Sequence, residues 1–277
     1  MPKNRFPDSS EKRELRRQDR RHLADYRVRR AASAGLSYCG LPSIEFLDVQ
    51  EWQTELGSVT AVEQDETVLD DMRIHWDYIN LGIPIHFIGP SSVQQYLLST
   101  SDCHDLYNLD FYGGFFYTRG NQTPQSIQLL RALCSRHAQA TRSFVLICSF
   151  NARDTGAREY VDLISQIPVA LSGWQNVKEC CKAHEKNQAT RLKLCFPFCC
   201  WQIGKTNGFK VRSLTPYVYH SSATMVHFYV EFLYQPTGLP ELTSQKELAE
   251  LVSEKLYRLD GVRPVIELNP PAVDREK

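Results

Sequence analysis

The chain has 277 residues, a formal net charge of zero, and 42% hydrophobic and 23% charged residues, as expected for a globular protein with one main core. No apolar run is long enough to span a membrane, and the Arg-rich start lacks the apolar segment of a secretory signal, so we expect a cytoplasmic protein with no membrane partner. The nine cysteines are an odd number without framework spacing, which predicts reduced thiols.

Basic charge is concentrated in the first thirty residues, which contain eleven lysines and arginines. The pattern over 9–32 predicts a helix with a thin apolar stripe of Leu15, Leu23 and Val28. Two interpretations remain open for residues 1–34. They form either a lead-in that docks on the following domain or a basic arm that contacts the phosphates of DNA or RNA.

From Gly35 onward, strand-like and helix-like segments alternate. The predicted strands are 36–39, 59–63, 83–88, 107–110 and 144–148. The predicted helices are 43–57, 67–81, 92–99 and 124–138. Such alternation with short connections predicts an α/β fold with a parallel sheet, helices on both faces, and ligands beyond the carboxyl ends of the strands.

The last part of the sequence breaks this alternation. Two β-rich segments, 209–220 and 224–234, predict an antiparallel hairpin. A final helix is predicted over about 244–259. The sequence therefore predicts a main domain over 35–236 and a C-terminal helix and tail over 237–277.

Three predicted strand ends carry residues suited to ligand binding. In the segment 38–43, Gly40 permits close backbone approach, and a helix starting at Ser43 would offer free amide donors. Glu63 ends the second strand, where a carboxylate can accept hydrogen bonds from both ribose hydroxyls, with Asp65 a less favoured substitute. The third strand end is Asp110-Phe111-Tyr112-Gly113.

Over about residues 36–235 this arrangement resembles the class I S-adenosylmethionine-dependent methyltransferases. That family has a Rossmann-like seven-stranded, mostly parallel sheet whose last strand is antiparallel. The resemblance implies S-adenosylmethionine as the cofactor. The implied cofactor-binding residues are Tyr38, Gly40, Pro42, Ser43, Glu63, Gly89, Ser91 and Asp110.

The third loop is similar to that of transfer-RNA guanine-N2 methyltransferases, with Phe111 in place of the usual proline. The resemblance implies a methyltransferase acting on an exocyclic amine of a nucleic-acid base. Asp110 would accept the hydrogens of the amine while Phe111 or Tyr112 stacks on the base, which makes these three the catalytic residues. The implied substrate contacts are Tyr112, Phe115, Phe116, Arg119, Asn151 and Arg153.

Several alternatives stay open. The single glycine in the first loop and the missing proline in the third favour a catalytically inactive binding or assembly subunit, and a protein partner could complete the site. A small-molecule acceptor is the second alternative.

Zinc is a weaker interpretation of one group of side chains. That group consists of Cys180, Cys181, His184, Cys195, Cys199 and Cys200. Its apolar surroundings favour buried cysteines, so we predict no metal. His220 and His227 are expected to be strand residues that face solvent or hydrogen-bond to neighbours, not general bases.

Overall fold

The structure is a computed structural model, which describes residues 8–111, 124–152, 188–214, 216–220, 224–235, 257–260 and 263–267. The helices in these ranges are α1 (Ser10–Arg30), α2 (Leu47–Trp52), α3 (Glu66–Ile79), α4 (Val93–Ser99), α5 (Gln125–Gln139) and α6 (Gln188–Thr206). The strands are β1 (Leu36–Gly40), β2 (Leu56–Val62), β3 (Ile85–Ile88), β4 (Leu106–Phe111), β5 (Phe144–Asn151), β6 (Phe209–Ser213), β7 (Tyr217–His220), β8 (Thr224–Tyr234), β9 (Tyr257–Asp260) and β10 (Arg263–Glu267). None of the described helices is long and apolar enough to cross a membrane.

All ten strands belong to one mixed sheet, in the order β10-β9-β7-β8-β5-β4-β1-β2-β3, with β6 also paired to β8. Strands β1 to β5 are parallel to one another. Strand β8 lies beside β5 and runs antiparallel to it. The predicted Rossmann-like, mostly parallel sheet with an antiparallel C-terminal part is confirmed, but it has ten strands among the described residues where seven were predicted.

Helices cover both faces of this sheet, as predicted. On one face, α4, α5 and α6 pack against the buried side chains of β4, β5 and β8 that include Tyr107, Leu146 and Phe228. On the other face, α1, α2 and α3 pack against the alternate side chains, among them Leu106 and Ile147. Because side chains alternate along a strand, the two hydrophobic clusters are the two faces of one sheet.

The C-terminal part differs in detail from the prediction. The first half of the predicted hairpin is two strands, β6 and β7, which pair with β8 one after the other. Pro216 lies between them and has no N–H to donate to the ladder. Residues 244–256 of the predicted last helix lie outside the described residues. Its end at 257–259 is wrong, because Tyr257 and its neighbour pair with the open edge of β7 as part of β9.

The helix predicted over 43–57 is also wrong at both ends. Helix α2 spans only Leu47–Trp52, and Ser43 does not cap it, since Phe46 occupies the N-cap position in the left-handed conformation. Gly57 does not stop a helix but lies within β2. A Cβ atom at this position would come 2.1 Å from the carbonyl oxygen of Ala34, so the glycine permits close contact with the chain before β1.

Helix α1 docks on the sheet, as one of the two interpretations of this segment expected. Its buried stripe consists of Leu15, Asp19, Leu23 and Tyr26. At its C-terminal end, Arg29 donates to both oxygens of the Glu231 carboxylate, at 2.6 and 3.0 Å. Glu231 is only 1% exposed, so this ion pair anchors α1 to β8.

The direction of α1 brings its first turns to the carboxyl ends of the parallel strands. Glu231, which holds the C-terminal end of α1, pairs in register with Val145 near the start of β5. Asp19, earlier in the helix, contacts His227, which pairs with Ser149 near the end of β5. The helix therefore runs antiparallel to β5, with its N-terminal half toward the edge where a ligand is expected.

Candidate cofactor and acceptor site

The strand registers bring the predicted site residues to one edge of the sheet. Gly40, at the end of β1, pairs with Ala61 of β2 on one side and with Asn108 of β4 on the other. Glu63 and Asp110 therefore follow the neighbours of Gly40 by two residues each. The two carboxylates lie at strand ends on opposite sides of β1, the position predicted from the sequence.

One oxygen of the Glu63 carboxylate is fixed by the following backbone. Oε1 accepts hydrogen bonds from the N–H groups of Gln64 at 2.7 Å and Asp65 at 2.9 Å. Oε2 has no hydrogen-bond partner within the described residues, and the side chain is half-buried. A carboxylate held in this way can accept hydrogen bonds from a diol such as ribose without first losing rotamer freedom.

Asp65 has a different role. Its Oδ1 accepts hydrogen bonds from the N–H groups of Thr67 and Val68 and caps α3. The local contacts therefore commit Asp65 to the helix terminus and favour Glu63 as the ribose-binding carboxylate.

The C-terminal half of β1 is occupied by internal packing. The side chain of Tyr38 is fully buried and donates to Asp48 at 2.8 Å, so it is not available to a ligand. Burial raises the pKa of Tyr38 well above its ordinary value. A Cβ atom on Gly40 would come 2.5 Å from the carbonyl oxygen of Asn108. The glycine is required by the approach of β4.

Pro42 is buried and Ser43 is exposed, but neither begins a helix. Helix α2 starts four residues after Ser43 and is six residues long. The expected set of free amide donors at a helix N-terminus is therefore missing from this position. Tyr38, Gly40, Pro42 and Ser43 therefore do not offer a helix N-terminus to the part of the cofactor that such donors would bind.

The end of β3 contacts the end of β2 directly. The N–H group of Ser91 donates to the carbonyl oxygen of Glu63 at 3.0 Å. A Cβ atom on Gly89 would come 2.4 Å from the same oxygen. Gly89 and Ser91 are thus beside Glu63, as the cofactor prediction requires, and the glycine allows this contact.

The carboxyl group of Asp110 is accessible to solvent, yet nearby protein atoms affect its pKa. Its side chain is exposed to solvent, and burial nevertheless raises its pKa, with Lys12 of α1 and His227 of β8 acting in the opposite direction. The backbone of Phe111 continues β4, and Asn151 ends the adjacent strand β5.

Several predicted site residues cannot be placed. Those that lie outside the described residues are Tyr112, Phe115, Phe116, Arg119 and Arg153. The predicted stacking and substrate contacts of these residues stay predictions.

His227 is buried and hydrogen-bonded to neighbours, one of the two environments expected for it, but the chain of side chains that it forms beside Asp110 was not predicted. His227 Nε2 lies 3.1 and 3.0 Å from the two carboxylate oxygens of Asp19, and its Nδ1 lies 2.9 Å from Ser149 Oγ. All three residues are buried. One signal was available in the sequence. Asp19 lies four residues from both Leu15 and Leu23 on the core stripe of a helix, where a carboxylate needs a partner.

The cysteine group does not assemble a metal site in the described part of the chain, where no cluster of three or more metal-ligating side chains is found. Cys199 and Cys200 are buried in α6, and burial raises the pKa of Cys200 well above its ordinary value. Cys180, Cys181 and His184 lie outside the described residues.

Comparisons with known proteins give structural matches alone. No family model matches the chain, and no curated protein matches it in sequence. The yhhF protein of Escherichia coli is 10% identical, with 83% of this chain and 92% of that chain covered and a TM-score of 0.40.

Two further solved structures match at the same level. Magnesium protoporphyrin IX methyltransferase of Synechocystis, with bound S-adenosylhomocysteine, is 11% identical, with 78% and 82% covered and a TM-score of 0.40. Precorrin 8w decarboxylase of Methanobacterium thermoautotrophicum is 9% identical, with 70% and 81% covered and a TM-score of 0.36. Because these scores lie below 0.5, the fold class given above rests on strand order and direction in this chain.

Proposed function

We propose that this chain is an S-adenosylmethionine-dependent methyltransferase that acts on an exocyclic amine of a nucleic-acid base. One observation carries the proposal. The parallel order is β3-β2-β1-β4-β5, with antiparallel β8 beside β5, and Glu63 and Asp110 lie at the ends of β2 and β4, the strands on either side of β1. A sheet of this kind binds ligands at that edge. We assign Glu63 to the cofactor and Asp110 to the acceptor.

The proposed roles follow from the local chemistry of each side chain. Glu63 would hold the ribose hydroxyls, with Gly89 and Ser91 beside it. The cofactor supplies a methyl group on a positively charged sulfur. Asp110 would accept hydrogen bonds from the acceptor amine and take up the proton that the amine loses. A raised pKa suits that role, because it increases the proton affinity of the carboxylate.

An exposed row of arginines on α1 supports a nucleic-acid substrate. Arg13, Arg17, Arg20 and Arg21 recur at helical spacing and are all exposed. Three of them also form ion pairs with carboxylates of this chain at 3.3 to 3.8 Å. Such surface pairs are weak, so phosphate groups can compete for the same guanidinium groups.

The free thiols of the described residues, Cys39, Cys103, Cys134, Cys148, Cys199 and Cys200, fit a reducing compartment. We therefore propose a cytoplasmic location.

The packing at the end of β1 favours a second candidate function. Buried Tyr38 and tightly packed Gly40 do not offer the amide donors that a cofactor tail would need. A catalytically inactive methyltransferase-like subunit, which assembles with a protein partner, would have no need of them. In that case the partner would supply any missing contacts.

Transfer of a radiolabelled methyl group tests these proposals. Purified protein is incubated with methyl-labelled S-adenosylmethionine and RNA, DNA or a small-molecule mixture. We expect label in nucleic acid, and a loss of at least about 100-fold in turnover for Asp110→Asn with cofactor affinity within about twofold, because the variant loses an interaction with the acceptor. Label found only in small molecules would show that the acceptor is a small molecule and not a nucleic acid. Cofactor binding without any transfer would support the inactive subunit.

A further inference from the structure

The unexpected chain of buried side chains lies in one row with Asp110. Asp110 pairs in register with Ser149 of β5, and Ser149 pairs with His227 of β8. Directly paired residues point to the same face of a sheet, and neighbouring strands are about 4.8 Å apart. The three side chains are therefore consecutive on the face that α1 covers, with Asp110 exposed and the other two buried.

If Asp19 is ionised and His227 carries a single ring hydrogen, the contacts of His227 fix the direction of each hydrogen bond. An ionised carboxylate can only accept hydrogen bonds, so His227 Nε2 carries the hydrogen shared with Asp19. In the neutral imidazole, Nδ1 is then an acceptor, and the Ser149 hydroxyl must donate to it across 2.9 Å. With its hydrogen used in this way, Ser149 Oγ can offer only lone pairs to any further partner.

Two other titratable groups, Lys12 and Tyr219, lie near the hydrogen bond between Ser149 and His227. Lys12 of α1 lies on the Asp110 side. Tyr219 of β7 is buried near Ser149, and burial raises the pKa of its phenol. A hydroxyl oxygen has two lone pairs, so a contact with Tyr219 still leaves one lone pair for a ligand.

We propose that Ser149 is a specificity-determining residue of the acceptor site, and that Asp19 and His227 are positioning residues that make it a hydrogen-bond acceptor. Together with Asp110 it would select a primary amino group. This inference rests on the proposed function and deepens it. The two hydrogens of an amino group point about 120° apart, so acceptors at about 2.9 Å from the nitrogen lie about 5 Å from each other. That separation matches the spacing of adjacent strands.

The pair of acceptors also rejects other groups. A hydroxyl group has one hydrogen and would leave one oxygen without a partner. A carbonyl group has none, so it would face two acceptors with its own lone pairs. A site built to hydrogen-bond a donor discriminates strongly against analogues that lack it.

Matched nucleoside pairs test the proposed selectivity. Binding of adenosine against inosine and of cytidine against uridine is measured calorimetrically in the presence of S-adenosylhomocysteine. We expect the wild-type protein to bind the amine member at least about tenfold more tightly. Ser149→Ala should reduce the ratio about tenfold. His227→Gln can still donate to Asp19 but frees the Ser149 hydroxyl, so it should improve binding of inosine and uridine.

Two further variants control for effects of folding. His137→Gln removes a buried histidine that is hydrogen-bonded to the hydroxyl of Tyr107, on the face of the sheet opposite to Asp110, and it should leave the binding ratios unchanged. If Ser149→Ala does not fold, Ser149→Cys takes its place, because its side chain has a similar volume but is a weaker acceptor. It should also lower the binding ratio. An equal effect of His137→Gln and His227→Gln would overturn the assignment.

A nitrogen-15 NMR spectrum of histidine-labelled protein tests the hydrogen-bond directions without any substrate. The inference predicts a hydrogen on Nε2 of His227 and none on Nδ1. Protonation of Nδ1 would overturn the inference, because Ser149 would then be free to donate.

The binding measurements distinguish a failure of the Ser149 assignment from a failure of the proposed function. If S-adenosylhomocysteine binds but adenosine and inosine bind equally, the role of Ser149 is wrong and the proposed methyltransferase stands. If the cofactor product does not bind, the proposed function fails, while a preference for amines in the free protein would still support the acceptor pair.

Discussion

His137 and His227 are two buried histidines near opposite ends of the parallel strands. His227 joins α1 to the ends of β5 and β8. His137 lies at the end of α5, where its Nε2 is 2.8 Å from the hydroxyl of Tyr107. The oxygen of that hydroxyl also accepts a hydrogen bond from the backbone N–H group of His104 at 3.0 Å. Burial lowers the pKa of His137 to about 3, and a backbone hydrogen bond with Arg142 only partly opposes this effect.

The lowered pKa of His137 predicts a stability that depends on pH. In the unfolded chain an imidazole has a pKa of about 6.5. Between the two values the unfolded state binds more protons, so stability falls as the pH falls. From pH 7 to pH 5 the contribution of His137 should decrease by about 2 kcal/mol. Urea unfolding at both pH values measures it, with His137→Gln as the reference.

The His137→Gln variant should be less stable than the wild type at pH 7 but should lose less on acidification. Other titrating groups are common to both proteins and cancel in the comparison. An identical loss in the two proteins would show that His137 is protonated as readily in the folded state as in the unfolded chain.

Residues at strand ends were predictable, and their partners in the fold were not. Glu63 and Asp110 each follow an apolar segment, so their places at the sheet edge follow from the pattern alone. The resemblance assigned Tyr38 to the cofactor site, but its side chain is buried and donates to Asp48 of α2. Asp19 and His227 are 208 residues apart, and only the packing of α1 brings them together.

At the level of whole elements, α1 is part of the main domain and not a detachable arm. Leu23 and Tyr26 are buried in the same cluster as β1, β2 and α2, and the indole N–H of Trp52 donates to the carbonyl oxygen of Arg16 at 2.8 Å. Deletion of the helix would expose this cluster. Its role in nucleic-acid binding is therefore better tested by substitutions on the exposed face.

Substitution of two exposed arginines should weaken nucleic-acid binding in a salt-dependent manner. The double variant Arg17→Gln with Arg21→Gln removes two positive charges from the exposed row of α1. For duplex DNA, we expect the slope of log affinity against log salt to become shallower by about 1.8, or by about 1.4 for a single strand. Fluorescence anisotropy across a salt series measures it.

The matched control removes the same charge elsewhere. Arg73→Gln with Arg131→Gln changes two exposed arginines, on α3 and α5, and should leave the slope unchanged. If both double variants reduce the slope equally, nucleic acid responds to the overall charge of the protein and not to α1.

Helix α2 shows why element boundaries were less predictable than element order. Its apolar positions fit a helix that reaches Leu56, but Leu36 of β1 pairs with Leu56 and draws it into β2. The free energy of extending a parallel sheet then outweighs a helical pattern of a few residues. The same competition explains β9, which forms where a helix was predicted.

Across the whole molecule, the alternation of strands and helices was enough to predict the parallel sheet and its covering layers. The pairing of β6, β7, β9 and β10 was not predictable, because it depends on which sheet edges are left open. The account of function depends on one property of the assembled sheet. The edge that carries Glu63 must bind S-adenosylmethionine.

Calorimetric titration with S-adenosylmethionine tests that claim most directly. The wild-type protein and Glu63→Ala are compared with Glu66→Ala, which removes an exposed glutamate three residues away in the first turn of α3. We expect the wild type and Glu66→Ala to bind alike and Glu63→Ala to bind at least about tenfold more weakly, since two hydrogen bonds to a charged group are lost. Absence of binding to the folded wild-type protein, or equal affinity in all three, would contradict the account.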